Sequence, residues 1–435
     1  MAFRDIRKSR KWLSAEEMRL LLPALVLLAG LLVLNIYLAR ILPGGEQFFL
    51  RWGGARAFLI EQVEPYGSTI AKGAQNVAYG RQAFSDEYPY VLNDPFHIVL
   101  LYVPLAVLRE IIGFILPSLG VLIDFPVARG IWALLSEIAL VGLIHSFIRS
   151  LEWESPFWLY IFLMIFSVFG YYSLAALGSG TPTVVITFLI FAIVYLLRSF
   201  SDELAGALLF LVAYQWEVSG LFFLYVMVFV FANRRWKVLG GFGMSLAILL
   251  AISFLAYPGW GLPYLRGVLS DWHRGANLTF GHVMSMWFPN ARFSIGLWTS
   301  IFLGIILFLE WLGSINSYHR RVVWTVCLSL AVTPLMGFAI FPSNHVALLP
   351  SLILIVMLAW ERWTRRRVLY VLLVLLGAFL IPFWLYARLS MGSPAIYSDL
   401  LMILPPVAAI IGLYWMRWWA FRSPRTWFDQ IGDRK

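Results

Sequence analysis

The apolar run LLLPALVLLAGLLVLNIYLARI, residues 20–41, is followed at once by Pro43-Gly44-Gly45-Glu46-Gln47-Phe48-Phe49-Leu50-Arg51-Trp52. The run is long enough to cross a bilayer. A turn at the proline and the two glycines then places Glu46 where the first helix leaves the membrane. In a polytopic chain with few charges, a carboxylate held at this boundary is the best candidate for chemistry.

The composition predicts a membrane protein. Of 435 residues, 61% are hydrophobic, 17% are aromatic and only 13% are charged, and the mean hydropathy is +0.80. Apolar runs of about 20 residues recur from one end of the chain to the other, which excludes a large separate soluble domain. We therefore expect an all-α polytopic membrane protein with one transmembrane domain over residues 1–435.

The net charge of +10 reflects membrane topology better than nucleic-acid binding, because the basic residues form short clusters between apolar runs. Cys327 is the only cysteine and lies inside an apolar run, so neither a disulfide framework nor a thiolate metal site is expected. The basic clusters are Arg234-Arg235-Trp236-Lys237, His319-Arg320-Arg321, Arg362 to Arg367 and Arg417 to Arg425.

The N-terminal segment predicts an uncleaved first helix. The run at residues 20–41 exceeds a signal-peptide core of about 7–15 residues and lacks a small-residue cleavage site, so both termini are expected in the cytoplasm. The basic residues before it are Arg4, Arg7, Lys8, Arg10, Lys11 and Arg19.

Hydropathy predicts about twelve spans. These lie near residues 20–41, 95–117, 125–148, 156–177, 181–198, 203–232, 236–257, 292–312, 321–341, 344–360, 367–388 and 399–419.

An alternative topology stays open. The stretch 203–232 is long for one span and is interrupted at Gln215-Trp216-Glu217, and residues 95–123 contain the charged pair Arg109-Glu110. Splitting both keeps the termini inside but inverts the loops between them. Arg149 and Arg198, which twelve unbroken spans place outside, slightly favour this alternative.

Two segments on the outer side, residues 43–94 and 258–291, are too polar to span. In the first, Phe48, Trp52, Ala55 and Leu59 recur at helical spacing and predict one apolar face of an interfacial helix. Pro65-Tyr66-Gly67-Ser68 ends this helix, and a second short helix is expected over residues 69–79. The segment therefore reads as a small structured cap.

Polar residues concentrate at the outer side, where one outward-facing cavity could collect them. The sequence has no P-loop, no strand-linked GxGxxG, no HExxH and no His or Cys pair at metal spacing, so a tightly bound metal is not required. The outer polar residues are Glu46, Arg51, Arg56, Glu61, Glu64, Tyr66, Asp86, Glu87, Asn93, Asp94 and His97, then Arg266, Asp271, His273, Arg274, Asn277, His282 and Asn290, with the turn from Phe341 to His345.

Each main candidate has a structural and a functional interpretation. Glu46 is either a helix-entry residue, favourable by about 0.3–1 kcal/mol near a helix N-terminus, or a general base whose pKa is raised by partial desolvation. Arg51 and Arg56 contact lipid headgroups or bind a ligand. Arg274, with His273, is either solvated in its loop or part of a site, and His345 either caps a helix or binds substrate.

Glu217 stands out because it follows Gln215 inside an apolar stretch, where ionisable groups face a cavity or a partner. It serves either as polar contact between helices or as part of a pathway. A proton pathway needs more such residues, and only Glu310 and Glu137 are comparable, which argues against a proton-coupled pump.

The order of motifs resembles the membrane glycosyltransferases of the GT-C superfamily, specifically glycosyltransferase family 87, the alpha-mannosyltransferase-like enzymes that use polyprenyl-phosphate sugars. The resemblance covers nearly the whole chain. It is carried by Gly-Gly-Glu46, Trp52-Gly-Gly-Ala-Arg56-Ala-Phe, Pro65-Tyr66, Tyr88-Pro89-Tyr90 and Asp94-Pro95-Phe96, and further on by Ala128-Arg129-Gly-Ile-Trp132, Gly178-Ser-Gly180, Ala205-Gly206 and Gly412 to Trp419.

This resemblance implies a GT-C-type bundle in a prokaryotic plasma membrane, without cofactor or metal. It implies inverting transfer of a mannose-like hexose from a polyprenyl phosphate to an acceptor hydroxyl of a glycan or glycolipid at the outer face. Membrane lipids are the other partners, and nucleic acid is not one. Glu46 takes the acceptor proton, and the substrate-binding candidates are Arg56, Arg274, His345, Tyr66 and Trp52.

The family has an aspartate where this chain has Glu46. The additional methylene moves the carboxylate by roughly 1.5 Å, and misplacement on the order of 1 Å costs about a hundredfold in rate unless the surrounding loop is adapted. The competing function is a non-catalytic membrane protein, namely a lipid-linked sugar flippase, a transporter or a degenerate GT-C subunit. A transporter needs a polar path to the cytoplasmic side, whereas this chain concentrates its polar residues outside, which favours the enzyme.

Overall fold

The computed structural model describes residues 15–84, 87–275, 278–290, 292–363, 365–392 and 396–421. Within those ranges the chain is helical, and its only β-type pairing is an isolated bridge between Thr279 and Ala339. Several predicted polar residues lie outside the described residues: Arg4, Arg7, Lys8, Arg10, Lys11, Asp86, Asn277 and the basic residues after 421.

The first third of the chain contains one long helix and a series of short ones. Helix α1 is followed by a turn, by α2 with its π-helical extension Ala57–Glu61, and by five further short helices. The bounds are α1 Ala15–Ile41, α2 Glu46–Arg56, α3 Ser68–Tyr79, α4 Phe96–Leu100, α5 Val103–Ala106, α6 Leu108–Ile115 and α7 Pro117–Gly120.

The remaining helices form a bundle. They are α8 Phe125–Ser150, α9 Phe157–Phe169, α10 Tyr171–Ser179, α11 Thr183–Arg198, α12 Asp202–Val212, α13 Trp216–Ala232, α14 Trp236–Ala256, α15 Gly261–Gly275, α16 Phe280–Trp287, α17 Arg292–Ser314, α18 His319–Val332, α19 Leu349–Arg362, α20 Arg367–Ser390, α21 Ile396–Trp415 and α22 Arg417–Phe421. Short 3₁₀ helices at Thr333–Leu335 and Pro342–Leu348 connect α18 to α19.

The bundle has two chemically different ends. At one, which we call the cap end, Arg40 at the end of α1 lies 3.7 Å from Asp124 before α8, so α1 and α8 run antiparallel. At the other, the far end, Arg235 pairs with Asp202 and donates a hydrogen bond to the Leu197 carbonyl. Ion pairs and a hydrogen bond between residues at helix ends thus connect neighbouring helices at both ends of the bundle.

The predicted span at residues 95–117 is absent. These residues form α4, α5 and α6, which are separate short helices, and the chain reaches α8 without leaving the cap end. Pro95 and Pro104 interrupt any continuous helix here. Helix α6 has no buried residue, and Phe114 is 91% exposed, so its apolar side faces away from the protein, as in a helix lying on a membrane surface.

The stretch 203–232 is two helices, as in the alternative topology. Helix α12 ends at Val212 and α13 begins at Trp216, with the break at the cap end, where Gln215 donates a hydrogen bond to Thr183 over 2.8 Å. Because residues 95–117 do not cross and α8 starts at the cap end, Arg149 and Arg198 lie at the far end. Their placement on the cap side was wrong.

Apolar helices make the chain compatible with a multi-pass membrane protein. Six described helices are long and apolar enough to cross a bilayer, or up to eight if each of two bent pairs is one span. The lipid-facing character is visible on α17, where Phe302, Ile305 and Leu309 are exposed. The largest buried cluster lies among α8–α13, α18 and α19, with Trp324 at 0% exposure.

The two short helices predicted in the first outer segment are confirmed. Helix α2 buries Phe48 and Ala55, and α3 spans Ser68–Tyr79. Leu59, predicted on the same apolar face as Phe48 and Ala55, is 42% exposed, whereas those two residues are buried. The π-helical turn at Ala57–Glu61 changes the number of residues per turn and rotates Leu59 away from that face.

The close crossing of α12 and α14 requires glycine at position 206 and yields a prediction. A Cβ on Gly206 would lie 1.9 Å from the Val238 carbonyl oxygen, whereas a Cβ on Gly240 meets nothing within 4 Å. Gly206→Ala is expected to lower the free energy of unfolding by about 1–3 kcal/mol through overpacking. Gly240→Ala, its control, is expected to raise it by up to about 1 kcal/mol through helix propensity. Thermal unfolding in detergent measures both, and equal behaviour of the two variants would contradict this packing.

Candidate functional site

The turn before Glu46 requires glycine at two positions. Gly44 and Gly45 have φ of 114° and 88°, a region that other residues rarely adopt. A Cβ on Gly45 would also lie 2.7 Å from the Cδ of Arg129, and one on Gly44 would lie 2.8 Å from the Gly178 carbonyl oxygen. The chain therefore turns tightly here, by 94° between α1 and α2, and Glu46 is the first residue of α2.

Arg129 of α8 holds this turn. Its guanidinium donates hydrogen bonds to the carbonyls of Leu42 (2.9 Å), Pro43 (3.2 Å) and Gly178 (2.8 Å), and a longer one to Ala39 (3.5 Å). Carbonyls at a helix C-terminus lack partners within the helix. One buried cation thus satisfies the ends of α1 and α10 and fixes the entry to α2.

Besides Arg129, two aromatic side chains, Tyr79 and Tyr90, lie near Glu46. The Gly44 N–H donates to the Val77 carbonyl of α3 over 3.3 Å, which docks α3 against the turn. Tyr79, at the end of α3, packs on Tyr90 with ring centroids 5.6 Å apart, and the negative charge of Glu46 adds to burial in raising the pKa of both tyrosines. Tyr90 has a φ of 44°, a strained value for a bulky residue.

Glu46 titrates near neutrality. Burial raises the pKa of its carboxyl from 4.5 to about 7, although the backbone N–H groups of Glu46 and Gly45 and the charge of Arg129 oppose this shift. Among the described ion pairs, none joins Glu46 to Arg129, since the arginine donors are directed at carbonyls. A carboxylate with a pKa near the working pH is the form that a general base needs.

A second polar group continues from the same aromatic side chains. The ring of Tyr88 packs edge-on against Tyr90, with centroids 5.1 Å apart, and its hydroxyl hydrogen-bonds Asp271 of α15. Asn93 donates to the other oxygen of Asp271 over 2.8 Å. Burial raises the pKa of Asp271 despite these two hydrogen bonds.

Glu217 lies at the inner side of this group. The Asn344 amide donates to its carboxylate over 3.0 Å, and Asn344 in turn accepts a hydrogen bond from Thr183 over 2.8 Å. Glu217 is close enough to Asp271 for the two carboxylates to influence each other. Five separate parts of the chain therefore meet at one polar site at the cap end.

Arg51 and Asp94 form a buried ion pair below this site. The Arg51 Nε lies 2.9 Å from one Asp94 carboxylate oxygen, Nη2 lies 3.1 Å from the other, and both side chains are about 5% exposed. Such a bidentate pair is rigid and expensive to break because the remaining charge stays buried. Arg51 therefore fixes the loop that carries Asn93 and does not contact lipid headgroups.

Three of the predicted substrate-binding residues make internal contacts. Arg56 lies 3.0 Å from Glu110 and 3.4 Å from Glu61. The Trp52 indole donates to the Leu105 carbonyl over 3.1 Å, and the Tyr66 hydroxyl donates to the Asp94 carbonyl over 2.8 Å. All three side chains thus make polar contacts with other residues of the cap end. Their role in substrate binding stays a prediction.

The other two predicted residues make no described contact with Glu46. Arg274, at the end of α15, is exposed at the cap end. His345 is 2% exposed, its Nε2 donates to the Met402 carbonyl over 2.7 Å, and its Nδ1 is buried without a hydrogen-bond partner. His345 thus carries an unused acceptor nitrogen.

His345 lines an apolar cavity of about 390 Å³. The cavity lies among α10, α19, α20 and α21, and Tyr171 and Tyr172 form part of its wall. Tyr172 and Gly178, which contacts Arg129, are six residues apart on α10, or on the order of 10 Å at 1.5 Å per residue. Helix α10 therefore connects this cavity to the turn at Glu46.

Sequence reasoning missed several residues of the site. Arg129 was noted only as part of a motif, and Tyr79, Thr183 and Asn344 were not assigned roles. A single arginine near the start of an apolar helix is the signal that could have identified Arg129, since a charge at that depth needs a partner. Nothing local to Thr183 or Asn344 predicts their contact across 161 positions of sequence.

Among the described residues, no group of three or more His, Cys, Asp or Glu side chains is arranged to hold a metal ion. Comparison with protein-family models and with curated proteins finds no match for this chain.

The Arg129 contacts yield a prediction. Arg129→Ala is expected to lower the free energy of unfolding by about 2 kcal/mol or more, since several carbonyls lose charge-assisted hydrogen bonds. Arg149→Ala, an exposed arginine on the same helix, serves as the control and is expected to change it by less than about 0.5 kcal/mol. Thermal unfolding in detergent gives both values. A loss in the control equal to that of Arg129→Ala would remove Arg129 from this role.

The pKa of Glu46 yields a prediction about stability and pH. Its folded-state pKa, about 7, exceeds the ordinary value of 4.5, so the folded state binds the proton more tightly. The resulting stabilisation is full below about pH 4.5 and is lost as the pH rises through 7. Glu46→Gln is expected to flatten the unfolding midpoint between pH 5 and 8. Glu64→Gln, at an exposed position, should leave the wild-type slope unchanged, and an unflattened Glu46→Gln profile would count against the raised pKa.

Proposed function

We propose that this chain is an integral membrane glycosyltransferase that transfers a hexose from a polyprenyl phosphate to an acceptor hydroxyl, with Glu46 as the general base. The carrying observation is a carboxylate with a pKa of about 7, fixed by Arg129 at the start of α2 and bordered by Tyr79 and Tyr90. Carboxylates and aromatic rings together suit a polyhydroxylated substrate, which offers both O–H donors and apolar C–H faces.

The reaction needs one base. The ionised Glu46 accepts the proton of the acceptor hydroxyl while that oxygen forms a bond to the anomeric carbon. The bond from this carbon to the phosphate oxygen breaks, and polyprenyl phosphate leaves with the electron pair, so the configuration inverts. Phosphate departs without protonation, and positive charge near it stabilises the negative charge that develops. Arg274, exposed at the cap end, supplies that charge.

The apolar cavity beside His345 supports a lipid-linked donor. Its wall is almost entirely apolar, and α10 contributes both to this wall, through Tyr171 and Tyr172, and to the turn before Glu46, through Gly178. An isoprenoid chain fits such a surface, and the acceptor nitrogen of His345 marks its polar border.

We further propose that the cap end faces outward and the far end faces the cytoplasm of a prokaryotic plasma membrane. Arg149, Arg198, Arg235, His319-Arg320-Arg321 and Arg362 all lie at the far end, which agrees with the excess of basic residues on cytoplasmic sides. The chain then crosses about twelve times, with α12 and α13 as separate passes and residues 42–124 entirely outside.

The proposed activity is tested with purified protein in lipid and a labelled polyprenyl-phosphate hexose, screening mannose, glucose and arabinose donors. We expect release of polyprenyl phosphate when an acceptor is supplied, with a rate that rises as the pH passes 7. Glu46→Gln is expected to reduce the rate by about 10²–10⁴. Glu46→Asp, which withdraws the carboxylate by roughly 1.5 Å, is expected to cost about a hundredfold.

Glu64→Gln is the matched control and should retain full turnover. Undiminished turnover in Glu46→Gln would exclude Glu46 as the base. Binding of every donor without turnover in the wild type would instead favour the non-catalytic alternative, a flippase or a degenerate subunit.

A further inference from the structure

A second cavity, of about 240 Å³, opens at the far end of the bundle. It lies between the ends of α11 and α13 and the loop that joins α17 to α18. Its deep wall is apolar, with Val194, Phe222 and Val226, and its mouth is polar. The mouth residues are Arg198, Asn233, Asn316, Ser317 and His319. The cavity therefore has the amphipathic lining that an amphiphile requires.

The mouth is electropositive. Arg198 is half-exposed, and its one described ion pair, with Glu152, is 3.6 Å long to a carboxylate that is itself 80% exposed. Exposed pairs of this kind contribute little and are readily exchanged. The Nε2 of His319 is buried and has no hydrogen-bond partner. One exchangeable guanidinium thus lies at this opening, and His319, whose Nε2 has no hydrogen-bond partner, forms part of the same wall.

Helix α18 begins at this opening. Its first residue is His319, and the preceding Tyr318 provides no side-chain cap. An uncapped helix start presents free N–H groups and a partial positive charge, which together favour an anion. Asn233 and Ser317 direct their donors at carbonyls of the protein, so they shape the mouth without competing for a ligand.

The depth of the cavity opening relative to the bilayer indicates which kind of molecule carries the anion. Tyr195, one turn before Arg198, is 62% exposed, Tyr318 beside His319 is 59% exposed, and Trp236 is 54% exposed. Exposed tyrosine and tryptophan at helix ends mark the headgroup region of a bilayer. A phosphate at that depth belongs to a lipid, and the apolar wall above it accepts part of an acyl chain.

We propose that the far-end cavity binds the headgroup phosphate of an anionic phospholipid, held by Arg198, His319 and the first turn of α18. The site lies at the opposite end of the bundle from Glu46 and does not depend on the proposed enzymatic function. Because it joins α11, α13 and α18, an occupied site links helices of the central core at their cytoplasmic ends.

The test titrates short-chain phosphatidylglycerol or phosphatidylcholine into the full chain, purified in neutral detergent, and counts bound lipid by native mass spectrometry. Phosphatidylglycerol is expected to bind at least tenfold more tightly. Arg198→Gln is expected to weaken that binding by roughly tenfold or more, and Val322→Phe, which fills the cavity with a ring, is expected to abolish it. Thermal unfolding of each variant in the same detergent confirms that it is folded.

Two matched controls share the far end without lining the cavity: Arg149→Gln on α8 and Val368→Phe on α20. Both should bind phosphatidylglycerol as the wild type does. Equal binding of the two lipids, or unchanged binding in folded Arg198→Gln and Val322→Phe, would overturn the proposal. Competition by inorganic phosphate alone at the same concentration would identify a soluble anion as the ligand and would equally reject a lipid site.

Discussion

The arrangement of the cap end depends on the hydrogen bonds of Arg129. Its guanidinium reaches carbonyls at the C-terminal ends of both α1 and α10. Helix C-termini carry carbonyls without hydrogen-bond partners and a partial negative charge. A cation there is stabilised both by hydrogen bonds to the carbonyls and by attraction to this charge. The donors fit only because Gly44 and Gly45 have no side chains in their way. Helix α2, and with it Glu46, takes its direction from this contact.

The same contact explains why Glu46 is not held as an ordinary ion pair. Arg129 directs its donors at carbonyls, and its charge acts on Glu46 only at a distance, so desolvation outweighs attraction and the pKa rises to about 7. Asp94, in contrast, accepts one hydrogen bond from Arg51, lies 2.9 Å from its Nε and is about 5% exposed. The carboxylate of Asp94 is therefore held in an ion pair, whereas Glu46 has no described ion pair and its pKa is set mainly by burial.

The sequence predicts local features of this fold well and the path of the chain less well. The spacing of Phe48, Trp52 and Ala55 predicts α2, and the polar Gln215 marks the break between α12 and α13, because both signals act within one or two helical turns. Residues 95–117 are apolar enough for a transmembrane span. Average hydropathy, however, does not show whether these residues form one unbroken helix. Two prolines and the pairing of Arg56 with Glu110 keep this segment at the cap end.

Of the candidate site, Glu46 and Asp271 are identifiable from the sequence as polar residues of the outer segments. Their neighbours are harder to identify, because Arg129 and Tyr79 lie in other helices than Glu46, and the Tyr88 hydroxyl that contacts Asp271 is 183 positions away in the sequence. Tyr90 illustrates the limit further. Its φ is positive and its ring contacts Tyr79 and Tyr88, and nothing in Tyr88-Pro89-Tyr90 itself predicts this backbone conformation.

The path of residues 42–124 determines the charge asymmetry of the whole molecule. Because this segment returns to the cap end before α8, every later helix up to α12 reverses its direction relative to a chain that crosses at residues 95–117. Arg149 and Arg198 then lie at the far end together with the described basic residues Arg235 and Arg362. The two ends consequently differ: buried carboxylates and tyrosines contact one another at the cap end, as Tyr88 and Asp271 do, whereas arginines of several helices gather at the far end.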